Sequence, residues 1–289
     1  MNDKKKLPNL RSFSLYSNLE TSDYHELIVP LLHRMSNLEE LDLSLIVSSK
    51  KKFIDGNDFN KNIINHMPRL RKFTFNIRSS IRLHNEIDLP SNKDIQKTFI
   101  NIIDNQVISC VDYFPKVKNG QCHIYSYPYK LIHYDNITNS FSGGLFKCVR
   151  KVSLYDERPF EHEFFLCISQ SFPFIKKLTV INRKRQNNQR FRKSIKENHD
   201  LSIIKFPNLI ELEINETHKD YHEQFLFDTK TCLPNDVRVK MDYRLTKKVT
   251  RNFRRNTTRS NCAKISWIFF NNKLKFPQHL KDYFPHAQI

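Results

Sequence analysis

Glycine is scarce in this 289-residue chain, which holds only Gly56, Gly120, Gly143 and Gly144. So few glycines leave no G-x-G-x-x-G, no G-x-x-x-x-G-K and no G-x-S-x-G, so phosphate-cradling loops of those kinds and the hydrolase nucleophile elbow are excluded. The six cysteines, at 110, 122, 148, 167, 232 and 262, include no Cys-x-x-Cys. They read as free thiols serving as small apolar residues in a reducing compartment. No apolar run approaches the ~18 residues of a membrane-spanning helix. The basic start, Met1 to Lys6, is followed by no hydrophobic segment of a secretory signal. A cytoplasmic location is expected, with the nucleus as the other compartment open to it. No membrane association is expected.

Acidic residues are also in deficit, 30 against 48 Lys and Arg, for a net charge of +18. That charge fits a polyanionic partner or a soluble lysine-rich surface, and composition does not separate the two. Hydrophobic residues make up 39%, and the length suits one large domain or two small ones.

What the chain has in quantity is one nonamer. Leu7–Leu15 (LPNLRSFSL), Met35–Leu43 (MSNLEELDL), Met67–Phe75 (MPRLRKFTF), Phe146–Leu154 (FKCVRKVSL), Phe172–Val180 (FPFIKKLTV) and Phe206–Ile214 (FPNLIELEI) share a template, and Leu233–Met241 (LPNDVRVKM) is a weaker seventh. Most successive copies are about 30 residues apart, a repeat period characteristic of stacked units. Each copy ends in apolar-x-apolar, the alternation of a strand with one buried face. The stretches between copies carry helical spacing. Ser22 is the expected cap of a helix through Leu27, Ile28, Leu31, Leu32 and Met35, with Pro30 breaking or kinking it. Pro159 is the expected first residue of another, through Phe160, Phe164, Phe165, Ile168 and Phe172. Thr217 precedes a third, through Tyr221, Phe225 and Leu226.

These nonamers resemble the L-x-x-L-x-L core of leucine-rich repeats. Their irregular, Phe-rich units are most similar to the repeat region of F-box/leucine-rich-repeat proteins. The resemblance implies an α/β fold, an irregular leucine-rich-repeat solenoid with a curved parallel sheet and helices on its convex side. The family's buried asparagine after the strand has a counterpart only at Asn18, and no F-box precedes Leu7. The chain is expected to form a single solenoid over 1–289. It would carry a divergent or inserted hairpin region at 76–145 and a capping segment at 243–289.

Within 76–145, Ser91 caps an expected helix through Ile95, Phe99 and Ile102, and Asn119-Gly120 between alternating residues predicts a hairpin turn. Tyr125, Tyr127, Tyr129 and Tyr134 crowd the same region, as cross-strand packing or, alternatively, as a binding patch. Residues 261–270, with the one tryptophan, Trp267, predict a last strand.

In a leucine-rich repeat, the strand positions that alternate with the core line the concave surface where partners bind. Here those are the sixth, eighth and tenth positions of each copy. The candidate partner-binding residues among them are Tyr16, Glu40, Asp42, Lys72, Lys151, Tyr155, Lys177, Glu211, Glu213, Arg238 and Lys240. Over all these positions, including Asp242, five cations meet five acids. The face is therefore patterned and not a basic stripe, which suits protein recognition and argues against nucleic acid in the concavity.

No catalytic signature is present, and the chain reads as non-enzymatic, without cofactor or metal. His218 and His222, four apart, read as surface residues and not as ligands. The implied function is a protein–protein interaction module, by resemblance the substrate-recognition part of an F-box-type ubiquitin-ligase adaptor. The alternative is a basic nucleic-acid-associated protein using two Lys/Arg runs, Arg183 to Lys196 and Lys247 to Arg259, which otherwise read as solvated loops.

Overall fold

Six of the seven nonamers open with the same turn in the computed structural model, which describes residues 6–49, 52–83, 89–100, 106–127, 130–187, 202–271 and 276–289. The fourth residue's N–H donates to the first residue's carbonyl in six copies. The pairs are Leu10 to Leu7, Leu38 to Met35, Leu70 to Met67, Val149 to Phe146, Ile175 to Phe172 and Leu209 to Phe206, at 3.0–3.3 Å. Pro8, Pro68, Pro173 and Pro207 occupy the second position, where a fixed φ near −65° suits the turn. In the seventh copy Asp236 takes φ 63° instead, consistent with its departure from the template.

The copies are joined by a recurring contact. The carbonyl of the fifth residue accepts two N–H groups of the next copy. Arg11 accepts from Glu39 (2.7 Å) and Glu40 (3.0 Å), and Glu39 from Arg71 and Lys72. Arg150 likewise accepts from Lys176 and Lys177, and Lys176 from Ile210 and Glu211. A third-position asparagine adds a side-chain link to the preceding copy. Asn37 Nδ2 donates to the Pro8 carbonyl and Asn208 Nδ2 to that of Pro173, both at 2.9 Å.

Residues 1–129 and 130–289 form two compact units. The first unit contains β1 (Ser12–Thr21), β2 (Glu40–Ser49), β3 (Lys72–Arg82), β4 (Gln106–Phe114) and β5 (Asn119–Tyr127), in the sheet order β1-β2-β3-β5-β4. The first three strands run parallel, and the β4–β5 hairpin pairs antiparallel with β3. In the second unit, β6 (His133–Ile137), β7 (Lys151–Tyr155), β8 (Lys177–Asn182), β10 (Glu211–Thr217), β12 (Val237–Asp242) and β13 (Ile265–Asn271) make an all-parallel sheet. A small parallel pair, β9 (Ile204–Lys205) and β11 (Thr231–Cys232), lies outside it. The fold is thus mixed α/β, and neither sheet closes into a barrel. Among the described residues, no helix is long and apolar enough to cross a membrane.

The alternation predicted for the strands sets the core. Leu41, Leu43, Phe73, Phe75, Val152, Leu154, Leu178, Val180, Leu212, Ile214, Val239 and Met241 are all buried. Helices cover these faces with aromatic rings. Phe59, from helix Gly56–Asn62, packs on Phe73 and Phe75 in the first unit. In the second, Phe165 from helix His162–Ser171 packs on Tyr221 and Phe225 of helix Lys219–Leu226. Burial of each such ring contributes about 2–3 kcal/mol.

Helix starts differ from expectation in three places. The helical stretch after Ser22 begins at Tyr24 as a π-turn and continues as Val29–Leu32, and Ser22 hydrogen-bonds Asp23 instead of capping it. Pro30 sits in the first turn of Val29–Leu32, directly after the π-turn. The helix expected from Pro159 begins at His162. The one expected after Thr217 is capped by the His218 ring, which accepts from the Asp220 N–H at 3.3 Å. Ser91 caps Asn92–Lys97 as expected, with Asp94 completing a reciprocal capping box; Ile102 lies outside the described residues.

The hairpin is present, but its turn is not Asn-Gly. Residues 115–118 make the turn, with Lys118 at φ 49°, while Asn119 and Gly120 pair with Phe114 and Tyr113 as the first residues of β5. Gly120 is needed for packing. A Cβ there would lie 3.0 Å from the Tyr113 ring and 3.1 Å from Ile81. The ring is held by its hydroxyl, which donates to the Pro90 carbonyl at 2.7 Å. Gly120→Ala is expected to destabilise the chain by about 1–2 kcal/mol in urea unfolding; an unchanged midpoint would mean the ring gives way freely. The tyrosine cluster also divides. Tyr125 is buried in the hairpin, Tyr127 is exposed, and Tyr134 packs in the second unit against Phe141, Phe146 and Phe172. Tyr129 lies outside the described residues.

β13 ends the second sheet, and the chain's last residues cover its outer edge. Ile268 N–H donates to the Gln288 carbonyl (2.8 Å) and Gln288 N–H to that of Ser266 (3.0 Å). These two bonds pair part of the edge strand's outward backbone groups.

Candidate functional site

The alternate residues of both sheets form polar faces in register. In the first unit, Ser12, Glu40 and Lys72 stand side by side, as do Ser14, Asp42 and Thr74, then Tyr16, Ser44 and Asn76. Tyr16 is 62% exposed, and its hydroxyl hydrogen-bonds the Asp42 carboxylate. Glu40 and Lys72 are exposed neighbours with no ion-pair partner among the described residues.

Further along the same sheet, Asn76 Nδ2 donates to Ser44 Oγ at 3.1 Å, and Asn76 Oδ1 lies 2.6 Å from His123 Nε2. Cys110 is the cross-strand partner of His123, and its thiol donates to the Asp112 carboxylate at 3.4 Å. Their chemistry argues against a nucleophile. Burial, then the nearby Asp112, pushes the Cys110 thiol far above its usual range. Burial, then Arg78, pushes His123 well below its own. At neutral pH the thiol keeps its proton and the imidazole is neutral, whereas a catalytic pair requires an accessible thiolate.

In the second unit one rank runs His133, Lys151, Lys177, Glu211, Arg238 and Trp267, and the next includes Ser153, Thr179, Glu213, Lys240 and Phe269. At its centre each of two lysines bridges both acids. Lys177 Nζ is 3.1 Å from Glu211 and from Glu213, and Lys240 Nζ is 3.3 Å from Glu211 and also bonds Glu213. Thr179 Oγ1 donates to Glu213 at 2.9 Å. Burial alone would raise the Glu213 carboxyl. The hydrogen bonds from Lys240, Lys177 and Thr179 outweigh it and bring its pKa down to about 2. Lys240 is correspondingly raised, chiefly by its bond to Glu213.

The flanks are unlike the centre. Lys151 and Arg238 are exposed, and among the described residues neither has an ion-pair partner. Beside Arg238, Trp267 and Phe269 stack with ring centroids 6.0 Å apart at 13°, and Phe269 is 48% exposed. These two aromatic rings are absent from the set expected from sequence. The period nonetheless reaches them, because Trp267 is 29 residues beyond Arg238 at the same strand position.

The third rank departs from expectation. Tyr155 faces Ile181, but a register shift between Glu213 and Glu216 sets Glu216, not Asn215, opposite Ile181. Asp242 is occupied as a helix cap, accepting from the Leu245 N–H at 2.9 Å.

Of the histidine pair, His218 is partly exposed, but His222 is not at the surface. His222 is 0% exposed, and burial, with His218 nearby, brings its pKa down to about 3. Among the described residues, no three His, Cys, Asp or Glu side chains gather as a metal site. Of the first basic run, Arg190, Arg192, Lys193 and Lys196 lie outside the described residues. The second run is not a loop. It lies on helices Tyr243–Val249 and Asn256–Ala263 and the turn between them, and its Phe253 is buried.

Fold and face together define a mixed α/β protein of repeated strand units, with an in-register polar face on the parallel strands of each sheet. No protein-family model, curated protein or solved structure matches this chain.

Proposed function

We propose that the chain is a non-enzymatic, leucine-rich-repeat-like protein that binds a protein partner on its polar strand faces. The observation that carries this reading is the second unit's face. Its central charges are already neutralised by one another, while an exposed arginine and a stacked Trp–Phe pair stand at its flank. Tryptophan and arginine are the residues that most often anchor protein interfaces, and a patterned set of charges sets register more than it drives affinity. The solenoid reading draws support from the turn, junction and asparagine contacts that recur from copy to copy. The resemblance to F-box/leucine-rich-repeat proteins makes selection of a ubiquitination substrate the finer form of the proposal.

Reversing Glu213 would confound binding with folding, since two lysines and Thr179 hold it. Arg238→Glu and Phe269→Ala change only exposed side chains. Partner recovery by affinity capture is expected to drop about tenfold in either variant, with thermal unfolding unchanged. Recovery equal to wild type in both would remove this face from the proposal.

A further inference from the structure

Between Asp242 and Asp282 the chain contains eleven lysines and arginines and no acid. Seven of those cations fall within residues 244–259. Helix Tyr243–Val249 buries Tyr243, Thr246 and Val249, which leaves Arg244, Lys247 and Lys248 exposed on the opposite face, with Arg251 one turn further on. Arg254 and Arg259 are exposed in the following turn and helix. None of these six has an ion-pair partner among the described residues.

The backbone between the helices is fixed at some cost. Arg251, Asn252 and Phe253 take φ of 50°, 57° and 61°, three successive left-handed residues of which none is glycine. The turn is held by Asn252 N–H donating to the Lys247 carbonyl (2.7 Å) and by Arg254 and Arg255 N–H donating to that of Thr250 (2.9 Å each). His279 Nε2 meets the Asn252 carbonyl at 3.0 Å, and Phe253 is buried against Tyr243, Tyr283 and Phe284. Held strain of this kind concentrates where side chains must be presented in a set geometry.

We infer that Arg244, Lys247, Lys248, Arg251, Arg254 and Arg259 form a docking surface for the phosphate backbone of double-stranded nucleic acid. The charge calls for a polyanion, and the surroundings narrow its class. Binding single strands relies on exposed rings that stack bases. Here the rings are core, and no large hydrophobic residue between Ile210 and Phe269 is exposed. An interfacial membrane helix presents an apolar face, and the apolar faces of both helices are buried. A duplex requires neither, since its phosphates are met by charge alone. The surface lies on helices and not on the strand faces, and it stands independently of the protein partner proposed above.

The test is fluorescence anisotropy of the full chain with a labelled DNA duplex of about 20 base pairs at about 50 mM salt. Binding is expected, with affinity falling steeply as salt rises. Lys248→Glu with Arg251→Glu should weaken it at least about tenfold at unchanged thermal stability. Arg251→Gly relieves a left-handed residue while removing one charge, so it should fold at least as stably and still bind more weakly. The inference is overturned by absence of binding at low salt, or by variants that bind like wild type. Tighter binding to a single strand of equal length, or to phosphatidylserine vesicles, would overturn it as well.

Discussion

Asn261→Ala is expected to cost about 3–5 kcal/mol, among the largest losses any single polar substitution can cause in the second unit. Asn261 is 0% exposed on helix Asn256–Ala263. Its Nδ2 donates to the carbonyls of Phe225 (3.2 Å), Leu226 (3.3 Å) and Thr231 (2.6 Å), and its Oδ1 accepts from the Leu233 N–H at 3.1 Å. One side chain thus satisfies the end of helix Lys219–Leu226 and the strand that follows it. Alanine leaves those backbone groups buried and unpaired. Asn261→Asp, of the same shape but with an acceptor facing three carbonyls, should cost at least as much. Ser260→Ala, exposed on the same helix, should stay within about 0.5 kcal/mol. Urea midpoints measure all three, and an Asn261→Ala midpoint matching that of Ser260→Ala would contradict the assignment.

Stability is expected to fall with acid earlier than carboxylates alone would dictate. His222 has its Nδ1 3.5 Å from Thr217 Oγ1, and its Nε2 is buried without a hydrogen-bond partner. Its folded pKa, about 3, lies below the ordinary value of 6.5. The unfolded chain therefore takes up a proton at a pH where the folded one does not. The penalty is absent above about pH 6.5 and grows as pH falls toward 3, reaching up to about 5 kcal/mol. His123 acts in the same direction in the first unit. Glu213 adds a later loss, as pH drops below 4.5 toward 2. His222→Leu removes an unsatisfied ring nitrogen, so it should fold stably at neutral pH and flatten the slope between pH 6.5 and 4. Parallel pH profiles for wild type and His222→Leu would rule out this source of acid lability.

The strands and their faces were legible because one period-2 pattern recurs with a turn residue before it. The sixth and eighth positions of neighbouring copies do stand side by side, from Ser12 to Lys72 and from Lys151 to Arg238. The strands at either end of the second sheet were harder to read, for different reasons. β13 was expected, but its ISWIFFN lacks the preceding turn, so its rings went unassigned to the face. Leu131, just before β6, and Tyr134 within it keep core positions, yet Asn136 at φ 54° displaces the last apolar residue to Ile137. Asn-Gly is a strong local signal for a turn, but here the Tyr113 ring and Ile81 packed against Gly120 explain the glycine. His222 could not be recognised as buried from its spacing, since burial depends on how helix Lys219–Leu226 packs. The helical setting of Lys247 to Arg259 was hidden for the opposite reason, because abundant charge masks the apolar positions Tyr243, Val249 and Phe253.

Docking of a protein partner on the polar strand faces can be tested by site-specific photo-crosslinking. A photoreactive residue is placed at Phe269 or Tyr16, both exposed on strands, and at Gln170, exposed on helix His162–Ser171. A partner adduct is expected from at least one strand position, competed away by unlabelled chain, and none from Gln170. Adducts from Gln170 with none from either strand position would contradict it.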